Sequence, residues 1–309
     1  MTSGGIPSFL DLVANFNSQQ FGIDNLIHQF TKKQKKVYFF GDDTWLKIFP
    51  SSFARSEGTT SFLVTDTMEV DHNVTRNVYE HILGMNFSAD LIEEDRGEEY
   101  VLDWEWDVIV LHYLGLDHIG HWQGPLSPLM GPKQSEMDYI IKKIWEAILS
   151  KGDSHKTLFV VAGDHGMNKF GNHGGSSEEE TSAAMLFISP HFQNITHGVK
   201  QVDQIDFAST IALLFNLPIP KNSLGYMISD LFSGYSDEEI LYALETNCGQ
   251  FLRLLKSNPG MWRNGKPNTP QVQNLLQRLE EAKNLHNSWI QKRESSLFNL
   301  AKKTYLEVF

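Results

Sequence analysis

Residues 157–175 read TLFVVAGDHGMNKFGNHGG. The segment begins as an unbroken apolar run and then turns to glycine and polar residues, which is typical of a buried strand that ends in a loop. Asp164 and His165 come just after the run, and His173 follows in the glycine-rich loop. Three potential metal ligands therefore follow one strand, which predicts that this loop belongs to a metal site.

Three further segments have the same form as this strand. They read KKVYFFGDDTW (35–45), DVIVLHY (107–113) and AAMLFIS (183–189). Apolar strands without alternation are typical of a sheet that is covered on both faces. Helix-like segments lie between the strands, such as residues 133–149, where several apolar residues share one face (Met137, Ile140, Ile141, Ile144 and Ile148). The pattern predicts an α/β fold with a mainly parallel sheet and helices on both faces.

The last part of the chain has a different pattern. A helix is predicted from about Asp203, and Pro218 and Pro220 would end it. Beyond residue 235 the pattern is helical, and residues 257–270 are rich in Pro, Gly and Asn, as in a linker. The sequence therefore predicts one domain over residues 1–235, which contains the predicted metal ligands, and a helical extension over 236–309.

A second group of ligands follows the strand DVIVLHY. Asp117 and His121 lie four residues apart, so one helical turn would place both on the same face. Active sites in parallel sheets form at the carboxyl ends of strands, which is where both groups lie. Two carboxylates and three imidazoles without thiolate favour Zn²⁺, with Mn²⁺ as the alternative. His112 is predicted to be a core histidine, and His118 is interpreted as a mere neighbour of the ligands.

Composition excludes several classes of protein. The chain carries 26 basic and 38 acidic residues, and a net charge of −12 argues against binding to nucleic-acid phosphates. Cys248 is the single cysteine, which rules out an intramolecular disulfide and cysteine zinc fingers. Asn73, Asn86 and Asn194 lie in glycosylation sequons, which weakly favours a lumenal location. No apolar run is long enough to span a bilayer, and the N-terminus lacks a signal-peptide pattern.

Several motifs resemble those of one superfamily. GLDHIGH, GDHGM and the glycine-flanked His173 resemble the metal-site signature of the alkaline phosphatase superfamily. Within it, FFGDDTW, LHYLGLDHIGH, VVAGDHGM and LFNLPIPKNSLG resemble the lumenal domain of the GPI ethanolamine phosphate transferases. EGTTSFLVTDTMEVDHNVTRNV and LHNSWI resemble the branch of that family that acts on the second mannose. The resemblance runs through nearly the whole chain and implies an alkaline phosphatase-like fold.

The resemblance implies a site with two zinc ions. Asp117, His121 and His173 would hold one ion. Asp164 and His165 would hold the other, together with a further aspartate and the hydroxyl of the nucleophile. A hydroxyl bound to metal has a lowered pKa, so it can attack phosphorus as an alkoxide-like group.

The resemblance also implies a nucleophile near the N-terminus. MTSGGIPSFLDL is similar to the family's segment around the nucleophile, which points to Thr2, with Ser3 as the alternative. In the family the further aspartate ends a first strand upstream of this point, and membrane segments lie at both ends of the lumenal domain. The chain is therefore expected to be a fragment that lacks the first strand, with a gap in its sheet and little or no activity.

The activity implied by the family is the transfer of ethanolamine phosphate from phosphatidylethanolamine to a mannose of the GPI-anchor precursor. The family also implies a location on the lumenal side of the endoplasmic reticulum membrane and a small multispanning membrane subunit as a partner. A metal-dependent phosphodiesterase of the same superfamily is an alternative, and so is a non-catalytic lumenal interaction domain. A sulfatase is disfavoured, because Cys248 lies in TNCGQF and not in the formylglycine motif.

Overall fold

The structure is a computed structural model that describes residues 1–6, 22–85, 104–151, 156–192 and 199–308. The described residues form two compact units by their contacts. The central unit contains residues 30–85, 104–151 and 156–191, and the terminal unit contains residues 1–6, 22–29, 192 and 199–308. The first helix, α1 (Leu26–Lys32), crosses the boundary between them.

The central unit contains a parallel sheet of three strands among its described residues, in the order β2-β1-β3. These strands are β1 (Val37–Asp42), β2 (Arg55–Thr59) and β3 (Val108–Leu111). In β1, five of the six residues are buried, as expected for an unbroken apolar run in the middle of a sheet. Phe40 lies opposite Glu57 of β2 and Leu111 of β3, so the carboxyl ends of the strands meet at one edge.

Helices pack against this sheet. They are α2 (Thr44–Ile48), α3 (Glu69–Val78), which continues as a π-helical turn (Tyr79–Leu83), α4 (Gly115–Gln123) and α5 (Met130–Ser150). One hydrophobic cluster joins α3, the π turn and α5, and Ile109 and Leu111 of β3 pack against it. Ile140, Ile144 and Ile148 of α5 are buried in that cluster, which confirms the predicted apolar face. The parallel sheet with flanking helices confirms the predicted fold class.

The next two strands pair differently from the first three. β4 (Phe159–Ala162) and β5 (Met185–Ile188) are antiparallel, with Phe159 opposite Ile188. Residues 163–184 connect them and contain only a four-residue helix, α6 (Glu178–Thr181). A parallel pair needs a crossover, usually a long helix, so this connection is consistent with the antiparallel arrangement. Within the described residues, β3 and β4 belong to separate sheets.

The terminal unit is mainly helical. It contains α7 (Asp206–Leu214), a 3₁₀ turn (Ser229–Phe232), α8 (Asp237–Ser257), the hairpin β6 (Trp262–Arg263) and β7 (Lys266–Pro267), α9 (Pro270–Lys292) and α10 (Ser295–Leu306). The prediction of a helix before Pro218 and of a helical region beyond residue 235 is confirmed. Ser236 begins α8 with a capping box, in which its side chain accepts from the Glu239 N–H.

Two further sequence predictions bear on the organisation of the chain. No helix in the described ranges is both long and apolar enough to cross a bilayer. The division into a catalytic domain over 1–235 and a helical extension over 236–309 stays a prediction. By contacts, residues 199–235 group with the C-terminal helices rather than with the sheet.

Candidate metal centre

Two chain segments at strand ends supply the candidate ligands, and both lie in the central unit. After β3 ends at Leu111, the chain turns into α4, which carries Asp117 and His121. Their spacing along the helix brings His121 Nε2 to 3.5 Å from Asp117 Oδ2. After β4 ends at Ala162, the loop 163–175 carries the other three candidate ligands. The predicted spacing of the ligands on α4 therefore produces the expected contact.

The two segments meet at Asp117. Ligand atoms of Asp117, His165 and His173 all lie within 4.8 Å of one another. Asp117 Oδ1 is 3.5 Å from His173 Nε2 and 4.0 Å from His165 Nε2. This oxygen is buried and has no hydrogen-bond donor among the described residues. Since a buried carboxylate oxygen without a partner is costly, the arrangement fits a cation held between Asp117 and the imidazoles.

The three imidazoles lie against one another. The rings of His165 and His173 stack with centroids 3.6 Å apart, and those of His121 and His173 are 4.8 Å apart. Burial, followed by the charge of His165, lowers the pKa of His173, although the Asp117 carboxylate opposes this shift. A lowered pKa keeps the ring neutral, and the neutral imidazole is the form that binds a metal ion.

His165 is oriented by a backbone contact. Its Nδ1 lies 3.0 Å from the carbonyl oxygen of Gly166, so the tautomer with hydrogen on Nδ1 leaves the lone pair on Nε2 for a ligand. Asp164 Oδ1 lies 3.6 Å from His165 Nε2, and 66% of the Asp164 side chain is exposed. Asp164 therefore lies at the solvent side of the cluster.

Glycines let the loop 163–175 lie directly against α4. A Cβ on Gly120 of α4 would come within 2.2 Å of Met167 Sδ. Gly171 has φ of +79°, and a Cβ there would come within 2.1 Å of the Gly120 carbonyl oxygen. Gly171 is thus required by the close approach of the two backbones, whereas a side chain at Gly120 would displace that of Met167. Sequence reasoning missed Met167 as the side chain between the two segments, although the motif GDHGM contains it.

Comparison with known proteins shows which proteins this region resembles. Residues 26–177, which include all five candidate ligands, match the family model of type I phosphodiesterases and nucleotide pyrophosphatases. The chain is 40% identical over 277 residues to GPI ethanolamine phosphate transferase 2 of Candida albicans, covering 84% of this chain. It is 36% identical over 314 residues, or 98% of the chain, to the human protein named GPI ethanolamine phosphate transferase 2, catalytic subunit. The chain is a homologue of these transferases.

The homologous region is part of longer proteins. The chain matches 29% of the length of the Candida albicans and human relatives, and 32% of the relative of the same name from Schizosaccharomyces pombe, with 41% identity over 257 residues. The fold is that of a phosphodiesterase-family, alkaline phosphatase-like domain, as the sequence motifs predicted. Within that domain, the candidate ligand group of Asp117, His165 and His173 follows the ends of β3 and β4.

His112 and His118, which lie near the first ligand segment and were not predicted as ligands, have other contacts. His118 is almost completely buried on α4, and its Nδ1 lies 2.6 Å from the carbonyl oxygen of Asp66. It therefore ties the loop before α3 to the helix that carries Asp117. His112 is half-buried at the end of β3, where its ring packs edge-on against Trp45 with centroids 6.3 Å apart.

The candidate nucleophiles lie in the terminal unit. Thr2 is half-buried, and its carbonyl oxygen accepts a hydrogen bond of 2.9 Å from the Leu26 N–H. Ser3 Oγ accepts from the Gly5 N–H at 3.2 Å. These contacts give the first residues a defined conformation within that unit. The role of Thr2, or of Ser3, as nucleophile stays a prediction.

One of the three sequons lies within the described residues. Asn86 and Asn194 lie outside the described residues. Asn73 is buried on α3, where its Nδ2 donates to Glu57 Oε1 at 2.6 Å. A glycan on Asn73 would be attached to this same nitrogen, so the sugar would have to be accommodated beside the buried contact with Glu57. Glycosylation at all three positions stays a prediction.

Proposed function

We propose that the chain provides the phosphotransferase centre of an enzyme that moves ethanolamine phosphate from phosphatidylethanolamine to the second mannose of the GPI-anchor precursor. The observation that carries the proposal is the buried Asp117 Oδ1 facing His165 and His173. It is supported by relatives that bear the name GPI ethanolamine phosphate transferase 2. Phosphoryl transfer relies on positioned positive charge to neutralise the transferred group, which a metal centre of this kind can supply.

The proposed cofactor is Zn²⁺, at two positions, with Mn²⁺ as the alternative. Asp117, His121 and His173 would hold one ion, and Asp164 and His165 would contribute to the other. Oxygen and imidazole donors without thiolate suit zinc, and the two oxygens of Asp117 each lie 3.5 Å from a different histidine. Bound zinc would neutralise charge on the phosphate and lower the pKa of a coordinated hydroxyl.

The proposed nucleophile is the Thr2 hydroxyl, with Ser3 as the alternative. Its oxygen would form a bond to phosphorus while the bond from phosphorus to the diacylglycerol oxygen breaks, and the hydroxyl proton would pass to that leaving oxygen. A mannose hydroxyl would then attack phosphorus, and the Thr2 hydroxyl would re-form with the mannose proton. The labelling is measured in a relative that carries this chain in place of its matching region. With phosphatidylethanolamine labelled in its headgroup, Thr2→Ala should abolish covalent labelling of that protein, whereas Ser3→Ala should retain it.

The proposed location is the lumenal side of the endoplasmic reticulum membrane, with a small multispanning subunit as partner in the whole protein. The sequons of Asn86 and Asn194 support this location. A mobility shift that is removed by an endoglycosidase and lost in Asn86→Gln or Asn194→Gln would test it. An unglycosylated protein in cells would count against exposure to the lumen.

The transferase activity is best tested in a chimera. The matching region of the Candida albicans relative is replaced by this chain, and the chimera is expressed in a strain that lacks the relative. Mass spectrometry of the GPI precursors should then detect ethanolamine phosphate on the second mannose. The same chimera with Asp117→Asn is the matched control and should leave the precursor unmodified.

The same experiment separates the alternatives. Release of free phosphoethanolamine without modification of the precursor would favour a phosphodiesterase, which the family model's description also covers. If the parent chimera and the Asp117→Asn chimera modify the precursor equally, the result would favour a non-catalytic interaction role for the chain. Either result would overturn the transferase proposal.

A further inference from the structure

Asp71 on α3 and Lys133 on α5 form an ion pair in the interior of the central unit. The Asp71 side chain is 0% exposed and that of Lys133 is 3% exposed, and Lys133 Nζ lies 3.2 Å from Asp71 Oδ2. Glu136 also contacts Lys133, with Oε2 at 2.9 Å from Nζ. Burying charges is unfavourable compared with burying apolar groups, so the pair needs a reason beyond stability. No motif of the metal site pointed to Asp71.

The second oxygen of Asp71 contacts the start of α4. Asp71 Oδ1 accepts hydrogen bonds of 2.9 Å from the backbone N–H groups of Leu114 and of Gly115. These are the N-cap and the first residue of the helix, whose N–H groups have no partner within the helix. The start of a helix also carries partial positive charge, which favours a carboxylate there. Asp71 therefore caps α4 from 43 residues earlier in the chain.

Gly115 makes this contact possible. A Cβ at that position would lie 2.1 Å from Asp71 Oδ2 and 3.0 Å from the Thr67 carbonyl oxygen. Only a glycine at the first residue of α4 lets the carboxylate approach both N–H groups. Asp117 and His121 follow on the same helix, two and six residues later. Because a helix is stiff, the contact that orients its first turn also orients these two side chains.

We propose that Asp71 is a positioning residue for the metal centre: it fixes the start of α4, and so the direction in which Asp117 and His121 point. Lys133 balances the charge of Asp71 by contacting Oδ2, so that Oδ1 is available to accept the hydrogen bonds from the start of α4. The inference rests on the proposed metal site. Partners that orient metal ligands typically contribute about 10–100-fold in metal affinity, which sets the size of the effect to be measured.

Two double variants separate the helix contact from the charge. Asp71→Asn with Lys133→Met removes both charges and keeps an oxygen that can accept from α4. Asp71→Ala with Lys133→Met removes both charges and the acceptor. Zinc affinity is measured by competition with a chromophoric chelator, and the visible absorption of bound Co²⁺ reports ligand geometry. We expect the first variant to bind zinc like the parent chain, and the second to bind about tenfold more weakly, with an altered Co²⁺ spectrum.

Asp206 offers a matched control in the terminal unit. It is also a buried carboxylate that accepts backbone hydrogen bonds, from Tyr226 at 2.7 Å and from Asp203 at 3.1 Å, but it supports no candidate ligand. Asp206→Ala should therefore leave zinc affinity and the Co²⁺ spectrum unchanged. A loss of affinity equal to that of the Asp71 variant would show a general effect of instability and overturn the proposal.

Gly115→Ala provides a second test that keeps every charge, in case the Asp71→Ala variant does not fold. Its Cβ would displace the Asp71 carboxylate, so zinc affinity should again fall about tenfold. Parent affinity in Gly115→Ala, or in Asp71→Ala with Lys133→Met, would overturn the proposal. If the parent chain binds no zinc, the proposed metal site itself fails; if all variants bind zinc equally, only the role of Asp71 fails.

Discussion

Asp117 is the residue that connects the two ligand segments. Its Oδ2 faces His121 on its own helix, and its Oδ1 faces His173 and His165 on the loop 163–175. An ionised carboxylate with a buried, unpaired oxygen is unfavourable by itself, and a bound cation would remove that cost. A metal ion bound at the candidate centre would thus compensate the Asp117 carboxylate, one oxygen of which the folded chain has buried.

Replacing Asp117 should abolish tight zinc binding. Asp117→Asn keeps the size of the side chain and removes its charge. Loss of a residue that only orients a metal ligand lowers metal affinity by up to about 100-fold, so loss of the ligand itself should lower zinc affinity by more than that. A chelator competition titration measures this loss. Asp138→Asn, an exposed position on α5, is the control and should bind zinc like the parent chain. Unchanged affinity in Asp117→Asn would contradict the proposed ligand set.

Glu57 should make the central unit sensitive to acid. Burial alone would raise the pKa of Glu57, but hydrogen bonds from Asn77, Arg76 and Asn73 outweigh it, and the pKa lies below the ordinary value of 4.5. Since the folded pKa is lower than the unfolded one, the stabilisation is complete above pH 4.5 and is lost as the pH falls through the folded pKa. Melting temperatures of the parent and Glu57→Gln chains should therefore differ near neutral pH and converge below pH 4.5.

Convergence is the part of this prediction that can fail. If the gap in melting temperature stays constant down to low pH, Glu57 acts by packing and not by charge. The effect should be modest, because 41% of the Glu57 side chain is exposed and solvent screens its ion pair with Arg76.

At the scale of elements, the contact between α4 and the loop 163–175 determines the geometry of the centre. In this contact the backbone of the loop lies directly against the backbone of the helix. Gly171 is at the point of contact, where a Cβ would meet the Gly120 carbonyl oxygen. Side chains can adjust to such a contact by rotating, whereas a helix backbone can only move as a whole. The loop is therefore expected to tolerate change at its exposed glycines and not at this one.

Gly171→Ala should weaken zinc binding more than Gly174→Ala. Both glycines have positive φ, so both substitutions carry a backbone cost of about 1–2 kcal/mol. A Cβ at Gly174 meets nothing within 4 Å, however, while one at Gly171 would push the loop away from α4. Urea unfolding with and without zinc measures both effects. Equal zinc affinity in the two variants would show that the close approach does not control the ligand positions.

At the scale of the whole molecule, metal binding should stabilise the central unit, which holds all five candidate ligands. A ligand that binds only the folded state at 100 times its dissociation constant adds about 2.7 kcal/mol of stability. Hydrogen exchange should therefore slow in β1, β3 and α4 when zinc is added. Exchange in the Asp117→Asn chain should not respond. Equal protection of both chains by zinc would indicate that the metal binds elsewhere.

Most secondary structure could be predicted from local patterns. The runs around residues 37–42, 108–111, 159–162 and 185–188 are strands, because apolar runs of this length favour buried strands over helices. The pairing of β4 with β5 could not be read from the same patterns. Strand direction depends on the path of the connection, and an apolar run looks the same whichever neighbour it pairs with.

The candidate site was predictable in part for the same reason. Asp117 and His121 share a helix face, so their contact follows from spacing alone. The approach of His165 and His173 to Asp117, from about 50 residues along the chain, follows only once the sheets and the loop are packed. Asp71 had no signal of its own, since an aspartate on an amphipathic helix is usually exposed.

The amino-acid sequence by itself thus determined most of the strands and helices and the residue types of the candidate metal centre, because each depends on neighbours within a few positions. It also carried the motifs that connect the chain to the GPI ethanolamine phosphate transferases. Only the tertiary structure decided that Asp117 Oδ1 is buried beside the loop histidines, and that Asp71 reaches the first turn of α4. Those contacts join residues far apart in the chain, and packing alone sets the distances between them.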